Sequence, residues 1–159
     1  MATVYQQSEL STEIVQNLFR QSLQAAADDP GEPLDDRKAD ERDGDEEPDF
    51  VLPSFPDQGA LYPHVIVSEA GYDHQHPDAR ADLTEGEYNV RIRVMALSTT
   101  TLNKITDGVR DWYLSSFDTL IDSGFNDPVI AGGGEVPSWE DPPKVEVKDT
   151  LCRGTVYTE

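Results

Sequence analysis

The chain has 159 residues, of which 36% are hydrophobic, and 32 acids against 12 bases give a formal net charge of −20. That balance excludes general binding to nucleic-acid phosphates, which needs bases to displace counterions, and attraction to an anionic membrane surface. The apolar share is low for a globular domain, so one modest core with some chain outside it is expected.

The first predicted element is a helix from Ser11 to Ala27. Ile14 and Leu18, with Val15, Phe19 and Leu23, recur at spacings of four and draw one apolar stripe. Ser8 or Ser11 can accept from the free N–H groups of the first turn. Pro30 in "DDPG" ends the helix, because the residue before a proline avoids the helical conformation. From Asp28 to Asp49 the chain holds 12 acids, three bases and, as apolar residues, only Leu34 and Ala39. It is expected to be a solvated linker or insert, since it cannot bury enough surface to offset its ordering entropy. The rest of the chain keeps 20 acids against nine bases, so the body itself is acidic. At molar salt the Debye length falls to ~3 Å and self-repulsion largely vanishes. The composition therefore reads as that of a protein working in very salty surroundings.

The body is expected to span residues 50–159. Phe50, Val51, Leu52, Phe55, Leu61 and Tyr62, punctuated by prolines, suggest an irregular segment pinned by aromatics. A short strand from His64 to Glu69 puts Val65 and Val67 on one face and Ile66 on the other. The following "AGYDHQHPD" reads as a loop. Glu87 to Leu97 is the clearest strand: Tyr88, Val90, Ile92, Val94 and Ala96 alternate with Glu87, Asn89, Arg91, Arg93 and Met95. That period of two gives one buried and one polar face. "STTT", Ser98 to Thr101, offers N-caps for a helix with Leu102, Ile105, Val109, Trp112, Tyr113, Ser116, Phe117 and Leu120 on one stripe. It is expected to break near Ser115 and Ser116 and to end at Gly124, which suits a left-handed cap. Beyond it, "NDPVIAGGGEVPSWEDPP" reads as a broken stretch with a glycine hinge, and Trp139 as an anchor in a proline-flanked loop. One or two closing strands follow between Lys144 and Thr158, with Gly154 marking a bulge or kink. The order predicts an α+β fold, a small antiparallel sheet packed by two helices.

Candidate chemistry is sparse. His74 and His76, with His64 as a third, are weak candidate ligands for a divalent metal, since two histidines on a loop lack a defined ligand set. The alternative is a polar loop. "AGGGE" lacks the Lys-Ser/Thr of a phosphate-binding loop. Cys152, the only cysteine, permits no internal disulfide and is read as a small buried apolar residue. Neither an enzyme nor a cofactor is expected. Arg91 and Arg93 share one strand face in a base-poor chain, and are equally consistent with salt bridges to nearby acids and with an interface contact. Tyr62, Phe55, Trp139 and Tyr157 are further candidate anchors outside the core. "MATVYQQSELSTEIV" has neither the basic region nor the apolar core of a signal peptide, and no apolar run approaches a membrane span.

The stretch "PHVIVSEAGYDHQHPDARADLTEGEYNVRIRVMALSTTTLNKITDGVRDWYL" resembles the tail-completion, or tail-terminator, proteins of long-tailed viruses. The likeness lies in element order: an initial helix, a short strand and loop, a long alternating strand, a helix introduced by Ser/Thr residues, and closing strands. The acidic insert and the broken stretch depart from it. The resemblance implies a structural virion protein, made in the host cytoplasm, that forms a homo-oligomeric ring, commonly six-fold. The ring would end the tail tube and join it to the head-side connector, and it brings no catalytic residues. With the salt signature it implies a virus of halophilic archaea. The alternatives are a head-closure or neck adaptor protein and, from another class, a small metal-dependent enzyme using His64, His74 and His76.

Overall fold

The computed structural model describes residues 12–28, 51–52, 62–75, 84–139 and 144–158. In chain order they form α1 (Thr12–Asp28), β1 (Val51–Leu52), β2 (His64–Gln75), β3 (Thr84–Ala96), α2 (Thr99–Ser115), α3 (Phe117–Asp122), β4 (Asn126–Trp139) and β5 (Val145–Thr158). The expected linker from Asp28 to Asp49 and the candidate anchor Phe55 fall, Asp28 apart, outside the described residues. The five strands make one sheet in the order β1-β2-β3-β5-β4. All its pairings are antiparallel except β1 with β2. This is the α+β fold read from the alternation of β3 and the two apolar helix stripes.

The helices cover one face of the sheet. Val15, Leu18, Phe19, Leu23 and Ala27 of α1 and Leu102, Ile105, Val109, Trp112 and Tyr113 of α2 are buried against Val65, Val67, Tyr88, Val90, Ile92, Val94 and Cys152. Phe19 sits at the centre, its ring 5.0 Å from Phe125 and 5.9 Å from Trp112, both edge-on. On the β1 edge, the Val51 N–H donates to Gln24 Oε1 of α1 at 2.8 Å.

Local signals explain the helix ends. Ser98 Oγ accepts from the Thr101 N–H at 3.2 Å, capping α2. Its last turn closes at Ser116, whose N–H donates to the Tyr113 carbonyl, and α3 starts immediately afterwards, at the expected break. Gly124 has φ 98°. Its N–H donates to the Ile121 carbonyl and that of Phe125 to the Leu120 carbonyl, the pair of bonds that a left-handed residue makes possible at a helix end.

Three expectations are corrected. β2 does not stop at Glu69: it bulges between Glu69 and Gly71 and runs to Gln75, paired with Thr84–Asn89 side of β3 through partners such as Tyr72↔Tyr88 and His74↔Gly86. The polar composition of "YDHQ" suggested a loop, and cross-strand pairing overrides it. The broken stretch after Asp127 is strand β4, with "AGGGE" paired along β5 and three register shifts. Trp139 accordingly ends a strand opposite Val145 instead of standing in a loop. The closing strands are one, β5. Gly154 causes no register shift against β3, but on its other side the register with β4 shifts between Asn126 and Val129, which pair with Thr155 and Arg153 on either side of it, so the expected irregularity lies there. Glycine stands at 154 because a Cβ would overlap the Phe125 ring.

Candidate functional site

The sheet's second face carries no helix among the described residues, and the register lays out its side chains in rows. His64, Met95, Val147 and Val136 form one row. Ile66, Arg93, Asp149 and Gly134 form the next, then Ser68, Arg91, Leu151 and Gly132. The first row continues into a small apolar cluster of Ile66, Met95, Val145 and Val147, packed by Tyr62 and Val136.

His64 and Tyr62 belong to that cluster. His64 is fully buried, with its ring 5.1 Å from that of Tyr62. Burial pushes the Tyr62 phenol above its ordinary pKa. Tyr62 is therefore at least partly an internal anchor. His64 and His74 lie ten residues apart on one strand, roughly 30 Å at strand rise, so a single ion cannot take both. His76 lies outside the described residues. No group of three potential ligands comes together among the described residues.

The two arginines meet one carboxylate. Arg93 Nε and Nη2 donate to Asp149 Oδ1 and Oδ2 at 2.8 and 3.0 Å, the paired geometry that suits guanidinium and carboxylate. That hydrogen bond holds the Arg93 guanidinium above its ordinary pKa. Arg91 Nε stands 3.5 Å from Asp149 Oδ2. Arg93 and Arg91 are about one-third exposed, so the cluster's stabilisation is reduced by solvent and salt. Further along, Arg153 pairs with Glu87 at 3.3 Å and donates to Asn89 Oδ1. Sequence reasoning found both central arginines and missed Asp149, since one acid among 32 carries no signal until a register places it.

Beside this cluster runs β4, the outer strand of the sheet. It is 14 residues long and exposes Val129 at 47% and Ile130 at 39%. An outer strand presents backbone N–H and C=O groups to whatever lies beside it. Pro128 and Pro137 are compatible with that position because an edge tolerates a missing donor. The Tyr113 hydroxyl, 3.0 Å from the Val129 carbonyl and 3.3 Å from that of Arg153, ties α2 to this edge. Tyr157 stands on β5 opposite Glu85.

No family model matches the sequence, and no curated protein matches it. Among solved structures, a chain of the "Virion of native gene transfer agent (GTA) particle" is similar, with a TM-score of 0.48 and 15% identity over 94% of this chain and 99% of that chain. No helix of the described residues is long and apolar enough to cross a membrane.

Cys152 is on the helix face, fully buried, and burial pushes its thiol from an ordinary 9.0 up to about 12. A neutral thiol at physiological pH is a poor nucleophile. The same shift predicts alkaline instability. Below pH 9.0 both folded and unfolded chains hold the proton. Between 9.0 and about 12 only the folded chain does, so stability falls as pH rises, by about 1.4 kcal/mol per pH unit. The buried Tyr113 hydroxyl, also raised by burial, acts in the same direction at higher pH. Urea melts in molar salt across this window should show the decline, and Cys152→Ala should flatten its lower part. An unchanged slope in that variant would remove Cys152 as the cause.

Proposed function

We propose that this chain is a structural virion protein that assembles into a ring at the head-proximal end of a viral tail, where it ends the tail tube and meets the neck. The observation that carries the reading is the asymmetry of the sheet: helices bury one face, while the other carries paired charges, a small apolar cluster and a long outer strand. The outer strand supplies unpaired backbone groups and the exposed Val129 and Ile130, and the second face supplies polar pairs, for docking repeated by symmetry in a closed ring. The tail-terminator assignment rests on the resemblance in element order, and a six-fold ring is the form that resemblance implies. The tail tube protein on one side and the connector on the other are its partners.

The charge of −20 fits both a salt-rich host, as for a virus of halophilic archaea, and the wall of a passage that DNA crosses without adhering. Assembly should then depend on salt. Light scattering is expected to give a multi-subunit species in molar salt that dissociates as salt is lowered and acidic subunits repel one another. A monomer at every salt concentration would overturn the ring. Image reconstruction of particles with a labelled subunit would separate a tail terminator from a head-closure adaptor by its position.

A further inference from the structure

We infer that the outer edge of β4 pairs, antiparallel, with the outer edge of β2 in a second copy of this chain; this rests on the ring proposed above and names the contact that builds it. From Val129 to Gly134, "VIAGGG", β4 carries no charge in a chain of which 28% is charged. Val129 through Gly133 are all exposed. Pro128 and Pro137 bracket this run without entering it, so each residue between them keeps its N–H. Gly132 to Val136 stays in unbroken register with β5 between two of the strand's shifts, which leaves its outward groups at the spacing a further strand needs. Edge strands are ordinarily blunted by charges or prolines along them, because a bare one pairs with another chain. The centre of β4 has neither.

The other end of the sheet supplies the matching edge. β1 pairs only with Val65 and Ile66, so from Val67 to Gln75 β2 has no outer partner among the described residues. That stretch holds two acids, Glu69 and Asp73, and neither lysine nor arginine. Laid against itself in a second copy it would bring like charges together, which destabilises a strand pair; laid against the uncharged run of β4 it meets none. Direction fits as well. β4 is antiparallel to β5, β5 to β3 and β3 to β2, so β4 runs opposite to β2. Rotation about an axis along the strands preserves direction, and β2 of the next copy therefore runs opposite to β4, the sense of every pairing in the sheet but that of β1 with β2. Because the two edges differ and lie on opposite sides of one sheet, the contact is head-to-tail and closes as a ring. Pairing β4 with β4 would stop at two copies. One strand pair is a small contact beside the ~1,200–2,000 Å² of a stable interface, so closure supplies what a single contact lacks.

Disulfide trapping tests this directly. Val129 stands opposite Arg153, and Ser68, Gly71 and Asp73 opposite Arg91, Asn89 and Glu87, all on the sheet's second face. Val129→Cys combined in turn with Ser68→Cys, Gly71→Cys or Asp73→Cys should give, on oxidation in molar salt, a ladder of covalent oligomers from at least one pair, and the best pair fixes the register. Within one chain β4 and β2 lie three strand spacings apart, roughly 14 Å, beyond the ~7 Å that a disulfide spans between Cα atoms. Val129→Cys alone should give no dimer; an abundant dimer from it would mean that β4 pairs with itself and would overturn the proposal. Without oxidation, Val129→Asp should lower the assembled fraction at least tenfold, whereas Val129→Thr should retain most of it, with thermal melts showing that each is folded. A folded Val129→Asp protein that assembles fully would also overturn the edge contact. If assemblies keep their mass and no pair of cysteines cross-links, the subunits meet elsewhere: this inference falls and the ring stands. Absence of any assembly in the unaltered protein removes the ring and this contact together.

Discussion

Phe19→Ala should lower stability by about 3–5 kcal/mol, the range for emptying a fully buried aromatic site. Phe19 has no exposed surface, and its ring meets Trp112, Tyr113 and Phe125 at centroid distances of 5.9, 6.0 and 5.0 Å. It joins the first helix to the second and to the turn that leads into β4. Edge-on aromatic pairs add about 0.5–1.5 kcal/mol beyond buried area, so the upper part of the range applies. For a domain of this size that corresponds to a fall in Tm on the order of 10 °C. Circular dichroism melts in molar salt measure it, and Trp112 emission gives a second readout, because loss of the Phe19 ring opens a buried indole to water. A Tm shift under about 3 °C would mean that α1 does not hold the body as its packing implies.

The parts of this fold that were legible in the sequence are those where burial writes a period. Tyr88 to Ala96 alternates because helices cover one side of β3, while on the other Glu87, Asn89, Arg91 and Arg93 keep contact with solvent. Leu102, Ile105, Val109 and Trp112 mark the stripe of α2, and Ser98 and Gly124 mark ends by local backbone chemistry. β4 leaves no such mark. At the sheet's edge its side chains are largely exposed, and Gly132 to Gly134 have none, so composition favours a hinge while pairing with β5 makes a strand. The second half of β2 hides for a related reason: a bulge after Glu69 shifts its phase. The site was half legible. Arg91 and Arg93 stand out as rare bases on one face, but their partner depends on β5 lying beside them, a non-local fact that no window of the sequence contains. Gly154 illustrates the same limit: a glycine in a strand suggests an irregularity, and the register with β4 does shift beside it, but the ring that a Cβ there would meet comes from a residue 29 positions earlier.

That contact yields the second large effect. Gly154→Ala should destabilise the protein by about 1–3 kcal/mol or more, as overpacking does in a closed core. The new Cβ would overlap three atoms of the Phe125 ring, and the ring has little room to withdraw. Phe125 is fully buried, edge-on to Phe19, and its N–H is held by the Leu120 carbonyl at 2.8 Å in the turn that Gly124 sets. On the other side, Gly154 pairs with Tyr88 of β3, so β5 cannot move away without disturbing the central ladder. Phe125→Ala alone should cost about 3–5 kcal/mol. With the ring gone, the methyl at position 154 meets no obstacle and fills a little of the space, so the double variant should be less destabilised than the two single costs together, by a coupling within the 0.5–3 kcal/mol range seen for touching residues. Urea melts of the wild type and the three variants close the cycle. Strict additivity would mean that the close approach of Phe125 does not explain the glycine, and that a small side chain fits there with the ring in place.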